Sequence, residues 1–362
     1  MARGGRSSVR RRVVGGVAAG AGAALAAGWA AQHRLVARTR AGAEDLAAQG
    51  LTLPDDLVHH DIGVDDGGRV HVVERGEGPA LVLLHGFMLS STLWVHQLRD
   101  LAGHRVVALD LRGHGRSVTG ADGFSPPAGE GDDSLAGDVR MAAAAQGSPA
   151  VRRMARDVRE VLGALKIDHA VVVGHSMGGM VALQLAHDTP ARELRRLVRG
   201  LALVSTTGGP FSRLPGFGGM ARLSGAVSAR ALDLADRVGA RAVGSEDLRW
   251  WLTRVGFGAD APAAQVRFVE ELHMATPAAT LGALLPSLAL FDLSGWLGTL
   301  DLPALVVVGT HDRLTPPRHG QRTAAALPRA ELVELPRCGH MPMLERRREF
   351  SRLVEEFSAK TG

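Results

Sequence analysis

Short apolar runs that end in glycine-containing loops recur along the chain, and amphipathic stretches separate them. The valines of 171–173 are β-branched and uninterrupted, which is typical of a strand buried on both faces. Strands that alternate with helices predict parallel βαβ units, and so an α/β fold with a mostly parallel central sheet flanked by helices. The strand-like runs lie at 70–79, 80–87, 104–117, 171–173, 200–206, 302–317 and 330–340, and the helix-like stretches at 91–102, 150–167, 176–188 and 344–357.

Two segments break this rhythm. Residues 118–148 are dominated in their first part by Gly, Asp, Ser and Pro, which predicts a loop insertion. Residues 207–297 hold several helix-like pieces, including 224–240, 245–256 and 263–274, and no buried strand pattern, which predicts a helical cap over the sheet. The pattern therefore divides the chain into an N-terminal segment at 1–45, a core in two parts at 46–206 and 298–362, and a cap between those parts.

The N-terminal segment contains a run of nineteen apolar or small residues at 13–31, nine of them alanine and five glycine. Its length approaches the ~20 residues that cross a bilayer and exceeds the roughly 7–15 of a signal-peptide core. Five arginines precede the run and three follow it, which favours an N-terminus in the cytoplasm and a body outside. The sequence thus predicts a membrane anchor. A cleaved signal of a secreted protein and an Ala/Gly-rich leader of a cytoplasmic one stay open.

Composition narrows the classes of function. The eight arginines of residues 1–40, with no acid or lysine beside them, account for the basic balance: removing them from the net charge of +5 leaves −3. The folded body therefore carries no signal for nucleic-acid binding. Tyrosine is absent, which excludes tyrosine-based catalysis, and the single cysteine, Cys338, excludes an intramolecular disulfide and a cysteine-rich metal site.

The candidate chemistry begins where the run of valines ends. Ser176 lies between Gly174 and Gly178 at a predicted strand-to-helix junction. A GxSxG pattern permits a very tight turn that pushes the serine into a strained, exposed position. The helix that follows offers free backbone N–H groups near any developing oxyanion. An incidental serine in a glycine-rich turn is the alternative, so the rest of the chain must decide.

Two other buried-type strands end in useful residues: Val308 leads to Asp312, and the strand of 330–335 leads to His340. The carboxyl ends of parallel strands share one edge of a sheet, so these side chains are expected to meet Ser176 there. An imidazole can take the proton of a serine near neutral pH, and a carboxylate fixes its tautomer. Residues 206–232 contain no acid, which favours Asp312 over a carboxylate after the preceding strand.

These motifs, in their order and spacing, resemble the α/β-hydrolase family, of the capped type that includes serine esterases, lipases and cofactor-free haloperoxidases. The resemblance rests on "HGFMLSSTLW", "DLRGHGRS", "GHSMGGM", "GTHDRLTP" and "GHMPMLE", and it covers the chain from about residue 63. It implies an oxyanion hole made by the backbone N–H groups of Phe87 and Met177, and neither a metal nor an organic cofactor.

Other side chains near these motifs are interpreted as structural or as weak candidates. His175 is interpreted as structural, His114 as an organiser of its loop, and His311 as a poor base candidate. Glu345 is expected to begin the last helix. Trp94 is a weak candidate for lining a substrate pocket, with core packing at least as good an interpretation.

The resulting hypothesis is a serine hydrolase that cleaves a carboxylic ester, lipophilic in character, through an acyl-enzyme on Ser176, His340 and Asp312. Perhydrolase or haloperoxidase chemistry, acyl transfer, thioester cleavage and C–C hydrolysis would use the same triad. A membrane-tethered binding protein that has lost activity is the alternative from another class. Neither the ester nor the oligomeric state follows from the sequence.

Overall fold

A computed structural model describes residues 49–125, 148–210 and 246–362, together with Ala37 and Leu46. Its centre is an eight-stranded sheet of order β1-β2-β4-β3-β5-β6-β7-β8. Strand β2 is antiparallel to both neighbours, and every other adjacent pair is parallel. The predicted α/β fold with a mostly parallel sheet is confirmed. The strands are β1 (Val58–Gly63), β2 (Arg69–Arg75), β3 (Ala80–Leu84), β4 (Arg105–Leu109), β5 (Ala170–His175), β6 (Val198–Val204), β7 (Ala304–Gly309) and β8 (Ala330–Leu335).

Helices follow most of these strands along the chain. In the described ranges they are α1 (Val95–Asp100), α2 (Pro149–Ala164), α3 (Met177–Asp188), α4 (Ala191–Leu197), α5 (Glu246–Val255), α6 (Ala263–Ala275), α7 (Ala278–Ala289), α8 (Pro317–Ala326), α9 (Pro342–Glu345) and α10 (Arg347–Lys360). A 3₁₀ turn, Ser91–Trp94, precedes α1. Helices α4, α7 and α8 were not predicted.

Both faces of the sheet are buried, and the side chains of each strand alternate between them. On β3, Val82 and Leu84 belong to one apolar cluster, whereas Leu81 and Leu83 belong to the other. Helices α2, α3 and α7 contribute to the first cluster, and α1, α5, α6 and α10 to the second. This double burial explains why the central strands read as continuous apolar runs rather than as alternating ones.

The two segments that break the strand–helix rhythm are described in part. Helices α5, α6 and α7 lie between β6 and β7, in the segment predicted to be a cap, and the predicted helix of 224–240 lies outside the described residues. The insertion begins with Val118 bridged to Arg69, and it ends at Ser148, whose hydroxyl caps α2. Across the described ranges no helix has the length and apolarity to cross a membrane; the run at 13–31 lies outside them.

A buried ion network joins the loop after β4 to α2. The Arg112 side chain is only 1% exposed, and its guanidinium donates two hydrogen bonds to Asp66, before β2, and two to Asp157, in α2. Arg153 donates to Asp157 as well, at 2.7 Å. The hydrogen bonds from Arg112 lower the pKa of Asp66 to about 2. The network therefore fixes the loop of 110–117 to the flanking helix.

We predict that Arg112→Met lowers the free energy of unfolding by about 3–5 kcal/mol at neutral pH, because it leaves two buried carboxylates short of a partner. Asp66 has a lowered folded-state pKa, so its contribution is present above its unfolded pKa of about 4 and is lost as the pH falls toward 2. In urea unfolding, the difference in the free energy of unfolding between wild type and Arg112→Met should therefore become smaller as the pH falls from about 4 to about 2.

The matched control is Arg196→Met, because the Arg196 and Asp168 side chains form a pair that is 57% and 49% exposed. Arg196→Met should lower the free energy of unfolding by less than about 1 kcal/mol. A similarly small loss for Arg112→Met would contradict a stabilising role for the network.

Candidate active site

Ser176 lies at the sharp turn between β5 and α3. Its backbone has φ 52° and ψ −116°, a conformation that costs a non-glycine residue on the order of 1–3 kcal/mol. The turn is held by its own main chain: the Ser176 N–H donates to Val204 O at 2.9 Å, and the Ser176 carbonyl accepts from Thr206 Oγ1 at 2.7 Å. The predicted strained turn is therefore present, and it sets the serine at the carboxyl end of the strand.

The glycines on either side leave no room for a side chain. A Cβ at Gly174 would lie 2.4 Å from Gly178 O, and a Cβ at Gly178 would lie 2.2 Å from Leu84 O. Helix α3 consequently starts in direct backbone contact with the end of β3. This contact brings the loop after β3 next to Ser176.

That loop carries Phe87, one of the two predicted oxyanion donors. His85 fixes its first residues, because the Nδ1–H donates to Gly86 O at 2.7 Å and Nε2 accepts from Leu111 N at 2.9 Å. Burial lowers the pKa of His85 well below its usual value, so the ring is neutral. The other predicted donor, the Met177 N–H, opens α3 and has no intrahelical acceptor. Between described residues, neither Phe87 N nor Met177 N donates a hydrogen bond.

His340 and Asp312 are directly paired. His340 Nδ1 lies 2.8 Å from Asp312 Oδ2, and both side chains are buried. Asp312 Oδ1 accepts the backbone N–H groups of Leu314 and Thr315, at 2.9 and 2.8 Å. A carboxylate held in this way places the ring proton on Nδ1 and leaves Nε2 as the unprotonated nitrogen. Asp312 follows β7 and His340 follows β8, as predicted.

His175 connects this pair to the serine turn. Its Nε2–H donates to the His340 carbonyl at 2.9 Å, and the two imidazole rings lie 4.7 Å apart. Because His175 directly precedes Ser176, the bond fixes the separation between the turn and the His340 loop. His175 is completely buried with a pKa well below its usual value, because of desolvation first and the charge of His340 second. This is the structural role predicted for it.

Ser176 Oγ and His340 Nε2 are not hydrogen-bonded to each other in the described structure. Contacts of this kind are often long without substrate and tighten only when it is bound. The structure thus brings Ser176, Asp312 and His340 to one edge of the sheet, with the Asp312–His340 half of the arrangement already formed.

Two residues that support the pair have roles the sequence did not reveal. Thr315 Oγ1 lies 2.7 Å from Asp312 Oδ2 and 3.1 Å from His340 Nδ1, with Ser205 O as a further acceptor at 2.8 Å. The signal available for Thr315 was its position three residues after Asp312, from which a hydroxyl can reach back.

Glu345 was expected to begin the last helix, whereas it ends the short helix α9 and stabilises the His340 loop. Its carboxylate accepts the N–H groups of Gly339, Met341 and Gly258 at 2.7–3.1 Å. Burial raises its pKa above the usual value despite these bonds. The original interpretation was wrong because the contacts are tertiary, and a helix-start pattern does not contain them.

The segment between β6 and β7 also contacts His340. The His340 N–H donates to Gly256 O at 2.6 Å, directly after α5. In α6, His273 Nδ1 lies 3.3 Å from Thr253 Oγ1, and burial together with the charge of His340 lowers the pKa of His273 to about 4. A second neutral imidazole therefore lies near His340, and nothing in the helical pattern of 263–274 distinguished it.

The remaining candidates lie away from the reacting groups. Trp94 is completely buried, with its indole stacked on Phe350 at a centroid distance of 6.3 Å, which is the core packing given as its alternative. His114 accepts from Met88 N at 3.3 Å and donates to Arg112 O at 3.0 Å, so it joins two loops. His311 is exposed, and Cys338 is buried with a raised pKa. No group of His, Cys, Asp or Glu in the described ranges could hold a metal ion.

Several known proteins with similar sequences or structures are hydrolases by name. A Variovorax paradoxus protein provisionally named a carbamate hydrolase is 31% identical over 294 residues, which cover 79% of this chain and 94% of that protein. The esterase RhEst1 from Rhodococcus sp. superposes with a TM-score of 0.62 at 25% identity, covering 84% of this chain and 99% of the esterase. The N-acyl homoserine lactone degrading enzyme Est816 superposes with a TM-score of 0.62 at 27% identity, covering 83% and 100%.

The profile of the alpha/beta hydrolase fold matches residues 79–347, a range that contains the serine turn, the Asp312 loop and the His340 loop. Together with the eight-stranded sheet, this match shows that the chain belongs to the alpha/beta hydrolase fold family.

Proposed function

We propose that this protein is a serine hydrolase that cleaves a carboxylic ester through an acyl-enzyme. The observation that carries the proposal is the 2.8 Å hydrogen bond between Asp312 and His340 Nδ1, which directs Nε2 away from the acid. His175 ties that imidazole to the turn that presents Ser176. A nucleophile, a base and an acid that orients the base are the three parts that acyl transfer requires.

The reaction follows from these positions. Ser176 Oγ attacks the ester carbonyl while its proton passes to His340 Nε2, and the imidazolium is stabilised by Asp312. The tetrahedral oxyanion receives hydrogen bonds from Phe87 N and Met177 N, which have no other acceptor among the described residues. His340 then protonates the departing alkoxide, leaving the acyl group on Ser176. Water, deprotonated by His340, attacks the acyl-enzyme and releases the carboxylate, and the proton returns to Ser176.

Lipophilic esters are the substrate class we favour. Leu314, two residues after Asp312, is 36% exposed and lies near Gly256, whose carbonyl accepts the His340 N–H. An exposed apolar side chain beside the His340 loop favours contact with an apolar part of a substrate. Carbamates and lactones, the substrates in the names of two similar proteins, also contain an acyl carbon that a serine can attack, so a substrate panel of esters, lactones and carbamates tests the choice of bond.

We predict that Ser176→Ala abolishes fluorophosphonate labelling and hydrolysis of p-nitrophenyl esters, because Ser176 is the residue that the strained turn between β5 and α3 presents. Ser294→Ala, which changes an exposed serine, is the control and should label normally. Undiminished labelling of Ser176→Ala would refute the nucleophile. Absence of labelling in wild type would favour a binding protein, and turnover that requires hydrogen peroxide would favour a perhydrolase. Comparing the rates of hydrolysis of p-nitrophenyl esters with acyl chains of graded length gives the chain-length specificity.

Asp312→Asn tests the acid. Two backbone N–H groups donate to Oδ1, so the amide oxygen of asparagine should take that position and turn its NH₂ toward His340 Nδ1. The imidazole must then carry its proton on Nε2, where it cannot accept the proton of Ser176. We expect kcat to fall on the order of 10³- to 10⁴-fold, with a smaller change in KM.

Asp260→Asn is the control for this experiment, since Asp260 is exposed and pairs with Arg337. It should retain nearly all activity. A near-wild-type rate for Asp312→Asn would mean that another acid orients His340.

We also propose that residues 13–31 anchor the protein, with its body outside the cytoplasm. The full chain should fractionate with membranes and resist high-salt extraction, whereas a chain that begins at Leu46 should be soluble and hydrolyse a short-chain ester, since every proposed site residue follows it. High salt is the control, because eight arginines alone could hold a protein on anionic lipid and salt would release it. Uncleaved full chain in the low-salt soluble fraction would contradict the anchor.

A further inference from the structure

A cavity of about 340 Å³ lies beside the loop that carries Asp312. One wall comes from the last turns of α5, with Trp250, Trp251 and Val255. The floor is the turn that follows α5, and His311 and Arg313 form the opposite wall. The volume falls within the range of pockets that bind small organic molecules.

This cavity is separate from the candidate active site. Neither Ser176 nor His340 lines it. Asp312 is 3% exposed, whereas its neighbours His311 and Arg313 are exposed and line the cavity. The two sites therefore lie on opposite sides of one short loop.

The polar groups of the cavity are donors and cations. Trp251 Nε1 is buried without a hydrogen-bond partner among the described residues. Arg313 has no described hydrogen-bond or ion-pair partner, and Arg254 adds a positive charge although the carbonyls of Phe257, Gly258 and Ala259 occupy its guanidinium.

Among the residues that the structure describes, no Asp or Glu lines the cavity. Asp260 lies near enough to His311 for that side chain to contribute to the lowered pKa of Asp260. Both carboxylate oxygens of Asp260 already accept hydrogen bonds from Arg337, at 2.7 and 2.8 Å. The walls, by contrast, are aromatic or aliphatic. A complementary ligand would have one anionic, acceptor-rich end and an apolar body.

We propose that this cavity binds a lipophilic carboxylate. The carboxylate accepts hydrogen bonds from Arg313, and the hydrocarbon chain packs on Trp250, Val255 and Phe257. A carboxylate is also what the proposed ester hydrolysis releases, but the binding follows from the cavity alone and does not depend on Ser176.

The test is calorimetric titration of the full-length chain with decanoate below its micelle concentration. Decyltrimethylammonium, with the same chain and the opposite charge, is the ligand control. Arg313→Gln should weaken decanoate binding at least tenfold, and Trp251→Ala, which removes part of the aromatic wall, about three- to tenfold. Arg318→Gln changes an exposed arginine that does not line the cavity and should leave the affinity unchanged.

Three results would overturn the proposal: decanoate binding no tighter than the cation, decanoate binding that Arg313→Gln leaves unaltered, and vesicles of anionic phospholipid that bind through Arg313 while decanoate does not. The second would place the fatty acid elsewhere, including the candidate active site, and the third would assign the surface to a lipid bilayer. Repeating the titration with Ser176→Ala separates this test from the proposed function, because that variant should bind decanoate normally whether or not Ser176 is the nucleophile.

Discussion

The close backbone contact between α3 and the end of β3 is the constraint on which the rest of the site depends. Only a hydrogen at Gly174 and Gly178 lets the helix begin so near Leu84, and the serine between them takes a positive φ as a result. The contact sets three things at once: the exposure of Ser176, the position of the first helical N–H, and the distance to the Phe87 loop. A side chain at Gly178 would push α3 away from the end of β3 and so change all three.

Few of the side chains around this turn carry a formal charge. His85, His175 and His273 all have pKa values lowered first by burial, so they are neutral near pH 7 and act through directed hydrogen bonds or packing. The buried carboxylate of Asp312 is held by backbone N–H groups and by His340. A site with so few formal charges can stabilise one that develops during reaction, because no competing charge screens it.

The sequence predicts best those parts of the fold whose burial is two-sided. Strands β3 to β7 were predicted because apolar residues fill both faces. Strand β8 was predicted as a buried strand from its apolar run, which was wrong, because it lies at a sheet edge and only Leu335 of it is buried. Strand β1 was missed, since it lies at the other edge and most of its residues are exposed. Among helices, α7 has an apolar composition with weak periodicity, which hides it from a search for amphipathic spacing.

Within the site, the order of motifs was enough to bring Ser176, Asp312 and His340 to one edge, because parallel strands share their carboxyl ends. It could not reveal Glu345, Thr315 or His273, whose significance lies in contacts with distant backbone or with another helix. Such contacts depend on the crossing of elements, and local pattern does not contain that information. Residues 126–147 and 211–245 of the insertion and the cap segment lie outside the described structure.

The hydrogen bond from His175 to the His340 carbonyl spans 165 positions of the chain. A protein synthesised from its N-terminus acquires β3, β5, α3 and β6, and so every contact that shapes the serine turn, before β7 and β8 exist. Up to that moment the turn holds a hydroxyl with no imidazole to take its proton. If Ser176 and His340 act as we propose, the emerging chain is inactive toward esters until its last strands dock.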